Sequence, residues 1–266
     1  MNEAADLDWA EIARMVLTPA PAPETAIAVG MVLAAGRGKR LGLLGRQRAK
    51  ALLEIAGEPL LDQVLRALKD ASVERAVVNA AHLTEQIVAH LAARAAPLPT
   101  TLSLEDTPLE TGGGVVHALA KLGPDPFYAV NADIWWSGSL SSGLATLRRT
   151  WRPAAMDALL LMMPTVRTAS DAGRGDYFVD GVGALRRKQE QETAPFIFTG
   201  AQILSPSAFD NPPEGAFSLN TIYDRAEARG RLFGVVHSGA WADIGTPQRL
   251  AAVRAAADDD RQERLL

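Results

Sequence analysis

The sequence predicts an α/β fold: a Rossmann-like, three-layer architecture with a mainly parallel sheet, helices on both faces and a smaller hairpin-containing part. Two observations support this prediction. Short apolar runs typical of buried strands alternate with runs of helical periodicity from Ala26 to about Asp133. The 266 residues are 48% hydrophobic, which is enough for the large core of such a fold. We therefore expect parallel strands joined by helices that cover the sheet.

The first half of the chain contains the regular alternation. Apolar runs predict strands at 26–33, 74–79, 100–104 and 127–130. Apolar residues at helical spacing predict helices between these strands, at 60–68, 85–95 and 115–122. This order is the one that a parallel sheet requires, because each strand must return to the same edge through a crossover.

The second half is less regular. Further strands are predicted at 158–163, 196–203 and 232–236, and a hairpin at 176–187 that turns around Asp180-Gly181. A helix is predicted at 218–229, with Ser218 as its N-cap, and another at 247–257, with Pro247 in its first turn.

Three segments follow from these patterns. Residues 1–25 combine an amphipathic helix with a Pro/Ala spacer, 26–257 form the α/β domain, and 258–266 form a polar tail. The N-terminal helix suits two roles. It could pack on the main domain, or it could serve as a partner-binding arm that would make the protein a homodimer.

Composition excludes several classes of protein. The net charge of −4 argues against a nucleic-acid partner. The longest apolar runs are too short for a membrane span, and the acidic N-terminus differs from a signal peptide. The absence of cysteine excludes disulfides and thiolate chemistry and fits a reducing compartment, so we expect a cytoplasmic protein.

The most informative stretch begins where the first strand ends. Small residues and glycines allow backbone N–H groups to approach phosphate oxygens, and the basic side chains of Arg40 and Lys50 follow. A dinucleotide fingerprint would need glycine at position 41, where the chain has Leu41. A P-loop would need Gly-Lys-Ser/Thr, which is absent here. The stretch therefore predicts a different kind of triphosphate loop, at 33–50.

The order of four motifs resembles the sugar-1-phosphate nucleotidyltransferases. They are Leu-Ala-Ala-Gly-x-Gly-x-Arg with a later Lys, then Glu-Thr-Gly-Gly-Gly at 110–114, Asn-Ala-Asp at 131–133 and Asp-Ile-Gly-Thr-Pro at 243–247. The resemblance spans roughly residues 31–250. The Leu-Glu-Thr-Gly-Gly-Gly string is most similar to members that use UTP and N-acetylmuramate 1-phosphate in cell-wall recycling.

The resemblance implies a role for each residue that matches the family's motifs. Arg40 and Lys50 would be the catalytic cations, and Asp133 and Asp243 would hold Mg²⁺. The nucleoside triphosphate would contact Leu33, Ala34, Ala35, Gly36, Gly38, Thr111, Gly112 and Gly113. The sugar 1-phosphate would contact Glu110, Asn131, Thr199, Gly200 and Asn220, so the hairpin-containing part would be the sugar-binding part.

The chain also departs from the family pattern between its two catalytic cations. Leu41–Gly45 stand where the family has Met-x-Pro-Leu-Thr, and alanines flank Lys50 where the family has proline. Without proline the loop is expected to be less rigid. Two alternatives stay open: a guanylyl- or thymidylyltransferase acting on mannose or glucose 1-phosphate, and a non-catalytic nucleotide-sugar sensor.

Overall fold

A computed structural model describes residues 25–93, 96–137, 140–167, 173–237, 239 and 241–263 of the protein. The predicted N-terminal helix and most of its spacer lie outside the described residues, as do Arg94, Ala95 and the last three residues of the predicted tail. Within the described chain, no helix has the length and apolar character needed to cross a membrane.

The centre of the molecule is a nine-stranded sheet. Its strands are β1 Val29–Leu33, β4 Arg75–Ala80, β5 Thr100–Leu104, β6 Phe127–Asn131, β8 Ala158–Pro164, β9 Tyr177–Val179, β10 Leu185–Arg187, β11 Phe196–Leu204 and β12 Leu232–Val236. Across the sheet the main order is β10-β9-β11-β6-β1-β4-β5, and β8 pairs with both β11 and β12. The pairings give all of these strands one direction except β10 and β11. The mainly parallel sheet and the hairpin are confirmed.

Two small sheets lie beside the main one. Strands β2 Glu54–Ile55 and β3 Glu58–Pro59 form a hairpin. Strands β7 Ile134–Trp136 and β13 Trp241–Asp243 pair across more than 100 residues of sequence. The sequence places a strand end at Asp243, which β13 confirms. Strands β2, β3 and β7 were not predicted, because runs of two or three residues are too short to show a periodicity.

Helices cover both faces of the sheet. They are α1 Leu43–Gln47, α2 Leu60–Asp70, α3 Thr84–Ala93, α4 Glu110–Leu122, α5 Leu140–Thr150, α6 Asn220–Ala228 and α7 Pro247–Glu263. Apolar residues of α2, α3 and α5 form one core cluster, and those of α4 and α6 form another. Alternate residues of β1 point to the two clusters, Val32 to the first and Met31 to the second. The predicted three layers are confirmed.

Several boundaries differ from the sequence expectation. Helix α4 begins at Glu110 rather than Val115, so the Glu-Thr-Gly-Gly-Gly segment is the first turn of a helix and not a loop before it. Helix α7 continues to Glu263, past 257, although the side chains of 259–263 lie outside the described residues. Helices α1 and α5 were not predicted. Helix α6 begins at Asn220 with Leu219 as its N-cap, so Ser218 is not the N-cap that was predicted, although its hydroxyl accepts the N–H of Asn220 at 3.2 Å.

Strand β11 is interrupted where it passes the centre of the sheet. Its register with β8 shifts between Phe198 and Gln202. Gly200, inside this bulge, has φ +84°, a conformation that side chains other than glycine rarely adopt. A Cβ at this position would lie 2.8 Å from Nδ2 of Asn131. The bulge therefore lets the β11 backbone approach the end of β6 closely.

Candidate active site

A cavity of about 450 Å³ opens at the carboxyl ends of β1, β4 and β6. In open α/β sheets this edge is the usual place for ligands. The cavity is lined by Leu33, Ala35, Gly36, Arg37, Lys39, Asn79, Pro108, Glu110, Thr111, Asn131, Asp133 and Ala216. Seven of these residues were predicted as site residues from the sequence: Leu33, Ala35, Gly36, Glu110, Thr111, Asn131 and Asp133.

The backbone that follows β1 forms one wall of the cavity. Ala34 donates its N–H to Oδ1 of the buried Asn79 at 2.8 Å. Gly38 has φ +59°, which turns the chain into a short 3₁₀ helix at Lys39–Leu41. A Cβ on Gly45 would overlap the carbonyl oxygen of Gly38, so α1 packs directly on the turn. The turn therefore depends on glycine at Gly38 and Gly45, whereas a Cβ on Gly36 would meet no atom within 4 Å.

The segment without the family's prolines is held by the β4–α3 region. The side-chain carbonyl of Gln86 accepts the N–H of Ala49 at 2.9 Å, and its amide donates to the carbonyl of Gln47 at 2.8 Å. His82 Nε2 lies 3.0 Å from the carbonyl oxygen of Gly45. We refer to His82 and Gln86 as the clamp. The expected loss of rigidity is thus offset by hydrogen bonds from a distant part of the sequence.

Lys50 and Asp133 form an ion pair beside the cavity. The ammonium of Lys50 contacts Oδ2 of Asp133, and the Lys50 side chain is only 10% exposed. Lys50 reaches this position because it begins a 3₁₀ turn whose residues are all buried. Asp133 directly follows β6, as predicted. The last residue of the predicted triphosphate loop thus lies against the carboxylate that follows β6.

Asp243 lies near Asp133 because the two small strands β7 and β13 pair. Asp243 is opposite Ile134 in the register, and Ile244 donates its N–H to the carbonyl of Asp133 at 2.8 Å. The Asp243 carboxylate contacts the guanidinium of Arg249, and Arg40 Nη2 lies 3.7 Å from its Oδ2. Arg40 thus pairs with Asp243 while Lys50 pairs with Asp133. Among Arg40, Lys50 and the two acids, Asp133 alone lines the cavity.

The donor chemistry of this acidic pair fits Mg²⁺. Magnesium ions in phosphoryl-transfer sites take one or two carboxylates and complete their shell with water and phosphate oxygens. Asp133 and Asp243 supply two such carboxylates from adjacent backbone segments. No group of three or more His, Cys, Asp or Glu side chains suited to a metal occurs in the part of the chain that the structure describes. The pair is therefore the metal-binding candidate, with substrate phosphates as the remaining ligands.

The first turn of α4 forms the opposite wall. Glu110, at φ +59°, and Thr111 line the cavity, and Thr111 Oγ1 accepts the N–H of Leu219 at 2.9 Å. Gly112 and Gly113 instead donate their N–H groups to the carbonyl of Phe217, at 2.8 and 3.2 Å. These two glycines permit close contact with the segment before α6 and do not line the cavity. Of the nucleotide contacts predicted in this turn, Thr111 therefore lines the cavity, whereas Gly112 and Gly113 do not.

The predicted sugar-binding residues are divided in the same way. Asn131 lines the cavity and packs on Gly200. Thr199 is fully buried, where its hydroxyl donates to the carbonyl of Leu161 at 2.7 Å. Asn220 is exposed at the start of α6 and does not line the cavity. Asn131 and Gly200 are therefore brought together, while Thr199 has a structural role in the bulge.

A half-buried carboxylate lies at the base of the β9–β10 hairpin. Asp176 accepts the N–H of Phe198 through Oδ2 at 2.9 Å. Burial raises the pKa of Asp176, although this bond and the charge of Lys188 oppose the effect. Burial also raises the pKa of Tyr177, its neighbour in β9. This end of the hairpin is thus a region of low solvent access.

The remaining cavity residues were not predicted as site residues from the sequence. Asn79 is the last residue of the strand predicted at 74–79, so its position near the sheet edge was a usable signal. Glu105 lies behind the cavity wall, 5% exposed, and accepts hydrogen bonds from Asn79 and Leu109. Arg37 and Lys39 were overlooked as charges within the loop motif. Pro108 and Ala216 carried no chemical signal.

Known proteins are similar to this chain in sequence. The chain matches the MobA-like NTP transferase domain over residues 30–170. It is 38% identical to an N-acetylmuramate alpha-1-phosphate uridylyltransferase of Caulobacter vibrioides, over 85% of this chain and 96% of that protein. It is 32% identical to the protein of the same name from Neisseria meningitidis serogroup B, over 85% and 97%.

A solved structure agrees at the level of the fold. The crystal structure of a UDP-glucose pyrophosphorylase complexed with UDP-glucose matches 88% of this chain and 99% of its own, with a TM-score of 0.70 and 15% identity. The arrangement of sheet and helices is thus that of a known fold. The chain belongs to the MobA-like NTP transferase family and, within it, to the sugar-1-phosphate nucleotidyltransferases.

Proposed function

We propose that the protein transfers the uridylyl group of UTP to N-acetylmuramate α-1-phosphate and releases pyrophosphate. The observation that carries this proposal is the Lys50–Asp133 pair at the wall of a cavity formed by the triphosphate loop. The two uridylyltransferase relatives, which align over nearly their whole length, support the choice of substrates.

The reaction requires no covalent intermediate on the protein. An oxygen of the sugar phosphate attacks the α-phosphorus of UTP in line, and the bond from that phosphorus to the β-phosphate oxygen breaks. Backbone N–H groups of 35–38 hold the triphosphate, while Arg40 and Lys50 balance the charge of the departing pyrophosphate. Thr111 and Glu110 face the nucleoside from the other wall, and Asn131 faces the sugar.

We also propose that Asp133 and Asp243 hold a magnesium ion. When bound, Mg²⁺ supplies positive charge to the phosphate oxygens and so stabilises the transition state. The residues of the chain then have complementary tasks. Lys50 keeps the carboxylate of Asp133 oriented towards the cavity, and the β7–β13 pairing keeps Asp243 beside it.

The same substrates suggest a place for the reaction. N-acetylmuramate is a cell-wall sugar, so we propose a cytoplasmic role in its recycling. The absence of a spanning helix in the described chain is compatible with that location. Whether the protein acts as a homodimer is testable by light scattering on the full chain, with and without residues 1–24.

A pyrophosphate-release assay tests the function. UTP, GTP, dTTP and ATP are each combined with N-acetylmuramate, N-acetylglucosamine, glucose and mannose 1-phosphates, with Mg²⁺ or with EDTA. We expect the highest kcat/KM for UTP with N-acetylmuramate 1-phosphate, and loss of turnover in EDTA. Asp133→Asn should lower kcat at least about 10²-fold, as expected for a group that stabilises transition-state charge. Asp125→Asn is the matched control, because Asp125 is an exposed carboxylate before the start of β6, at the opposite end of that strand from Asp133.

Three outcomes would contradict the proposal. A preference for GTP with mannose 1-phosphate would identify a guanylyltransferase instead. Binding of UTP without release of pyrophosphate from any pair would identify a sensor. Full activity of Asp133→Asn would remove Asp133 from the reaction.

A further inference from the structure

A chain of hydrogen bonds with a single polarity connects the two walls of the cavity. The N–H of Ala34 donates to Oδ1 of Asn79 at 2.8 Å, and Nδ2 of Asn79 donates to Oε1 of Glu105 at 2.7 Å. From the other wall, the N–H of Leu109 donates to Oε2 of Glu105 at 3.0 Å. Every donor in this chain therefore points towards one carboxylate.

The polarity of the chain is fixed by chemistry. A backbone N–H can only donate, so the oxygen of the Asn79 amide must face Ala34 and its nitrogen must face Glu105. Leu109 also presents an N–H, so the side chain at position 105 meets two donors. An ionised carboxylate, which only accepts, suits both of them. Asn79 is 1% exposed and Glu105 5%, so water cannot easily replace a missing partner.

The surrounding structure leaves no space for another arrangement. A Cβ on Gly114 would lie 2.7 Å from Nδ2 of Asn79 and 2.8 Å from Oε1 of Glu105. The glycine in the first turns of α4 therefore lets the helix press against the pair. Because both oxygens of Glu105 are occupied by protein donors, this carboxylate acts through the residues it holds.

We propose that Glu105 is a positioning residue for nucleotide binding. Through Asn79 it fixes the N–H of Ala34 at the start of the triphosphate loop. Through Leu109, the residue before α4, it fixes the turn that presents Glu110 and Thr111. One buried charge thus sets the distance between the wall that binds phosphate and the wall that binds the nucleoside. This inference rests on the proposed function, because it concerns the same cavity.

The substitution Glu105→Gln tests the polarity with almost no change in shape. Glutamine supplies one acceptor and one NH₂ group, so one of the two donors from Asn79 and Leu109 must face another donor. If the Asn79 amide turns over to adapt, its own NH₂ group faces Ala34. We expect UTP to bind about 10- to 100-fold more weakly, the range for an unsatisfied buried polar group. Glu74→Gln, an exposed glutamate, is the matched control.

The double variant Asn79→Asp with Glu105→Gln distinguishes an effect of hydrogen-bond direction from a simple loss of contact. With aspartate at position 79, Ala34 donates to one carboxylate oxygen and the glutamine NH₂ group donates to the other. The glutamine oxygen then accepts the N–H of Leu109, so every bond is restored at unchanged net charge. Asn79→Asp alone places two carboxylates together and should also weaken binding. The double variant should recover at least about tenfold over the weaker single variant.

Calorimetric titration with UTP, together with thermal unfolding, measures the effect on folded protein. Titration does not need turnover, so a failed pyrophosphate assay leaves this test intact, and the nucleotide that wild type binds best replaces UTP if necessary. Wild-type affinity in Glu105→Gln would overturn the proposal, as would a double variant no better than the worse single variant. Lowered thermal stability with unchanged affinity would also overturn it. If Glu105→Gln does not fold, the double variant decides alone: near-wild-type affinity supports the proposal, and its absence overturns it.

Discussion

The active site contains two pairings of a carboxylate with basic side chains, and they differ in their surroundings. Lys50 is 10% exposed where it meets Asp133, and both are held by elements of the main fold. Arg40 is 66% exposed where it approaches Asp243 at 3.7 Å, and Arg249 shares that carboxylate. The cation is buried in the first pairing, whereas in the second the carboxylate is shared between the exposed Arg40 and the partly exposed Arg249. The two carboxylates are similarly exposed, at 36% for Asp133 and 29% for Asp243.

The difference indicates two kinds of task. A buried cation loses much of its hydration and keeps a strong attraction to the carboxylate beside it, so Lys50 holds one geometry. An exposed pair is screened by water and salt and contributes little to stability, so its partners can exchange for a ligand. We therefore expect Lys50 to be ready before UTP arrives, and Arg40 to leave Asp243 when the triphosphate binds.

Replacing the buried cation should have the largest effect. Lys50→Met keeps the length of the side chain and its apolar packing but removes the charge. We expect kcat to fall about 10²- to 10³-fold, with a small change in the melting temperature. Pyrophosphate release and thermal unfolding check both parts. Lys69→Met, on the exposed end of α2, is the control. A rise in KM with unchanged kcat would place Lys50 outside the chemical step.

Removing the carboxylate that does not line the cavity should cost less. We expect Asp243→Asn to lower kcat/KM about tenfold, and less than Asp133→Asn does, because Asp133 alone of the two lines the cavity. The free energy of unfolding should change by less than about 1 kcal/mol. The two variants are compared at several Mg²⁺ concentrations. Equal losses that excess Mg²⁺ does not reduce would mean that position at the cavity wall does not rank the two acids.

Salt should distinguish the two cations. At about 50 mM KCl, Arg40→Ala should raise the KM of UTP several-fold, and this difference should shrink at about 500 mM, where screening is nearly complete within a few ångströms. The defect of Lys50→Met should persist at both concentrations, because its surroundings exclude the salt. Arg149→Ala, on the exposed face of α5, is the control. A salt-independent defect in Arg40→Ala would show that Arg40 is also shielded.

The smallest effect is expected at a third carboxylate, which meets a backbone N–H instead of a basic side chain. Burial raises the pKa of Asp176, so the folded state disfavours its charged form. The resulting penalty is present above the raised pKa and disappears as the pH falls below the ordinary carboxyl range. Asp176→Asn should keep the bond from Phe198 and melt slightly higher than wild type at pH 7, with no advantage near pH 3.5. Asp210→Asn is the control, and an advantage that grows on acidification would contradict the assignment.

The sequence predicted the fold well where the pattern is local. Apolar runs gave the strands of the main sheet, and the position of Asp133 after one of them placed it correctly at the cavity. The pairing of β7 with β13 could not be predicted, because it joins two three-residue strands across most of the second half of the chain. For the same reason, the partners of Arg40 and Lys50 could not be assigned before the structure was known.

The glycines show a second limit. Gly112 and Gly113 were predicted to bind the nucleotide because glycine permits close approach to a ligand. In the structure the close neighbour is the backbone at Phe217. Gly45 was regarded as part of an altered loop, yet the turn at Gly38 leaves no space for a Cβ there. Glycine indicates close approach, and the sequence does not say to what.

The clamp has a consequence for the timing of the reaction cycle. Prolines stiffen a loop permanently, whereas the hydrogen bonds from Gln86 and His82 can break and form again. Three such bonds, at about 0.5–1.5 kcal/mol each, would leave the segment open for roughly 0.1–10% of the time. We therefore expect the loop to open and close without unfolding the domain, which under the proposed function would let pyrophosphate leave. Its stiffness is an equilibrium, and hydrogen exchange at Ala49 would measure it.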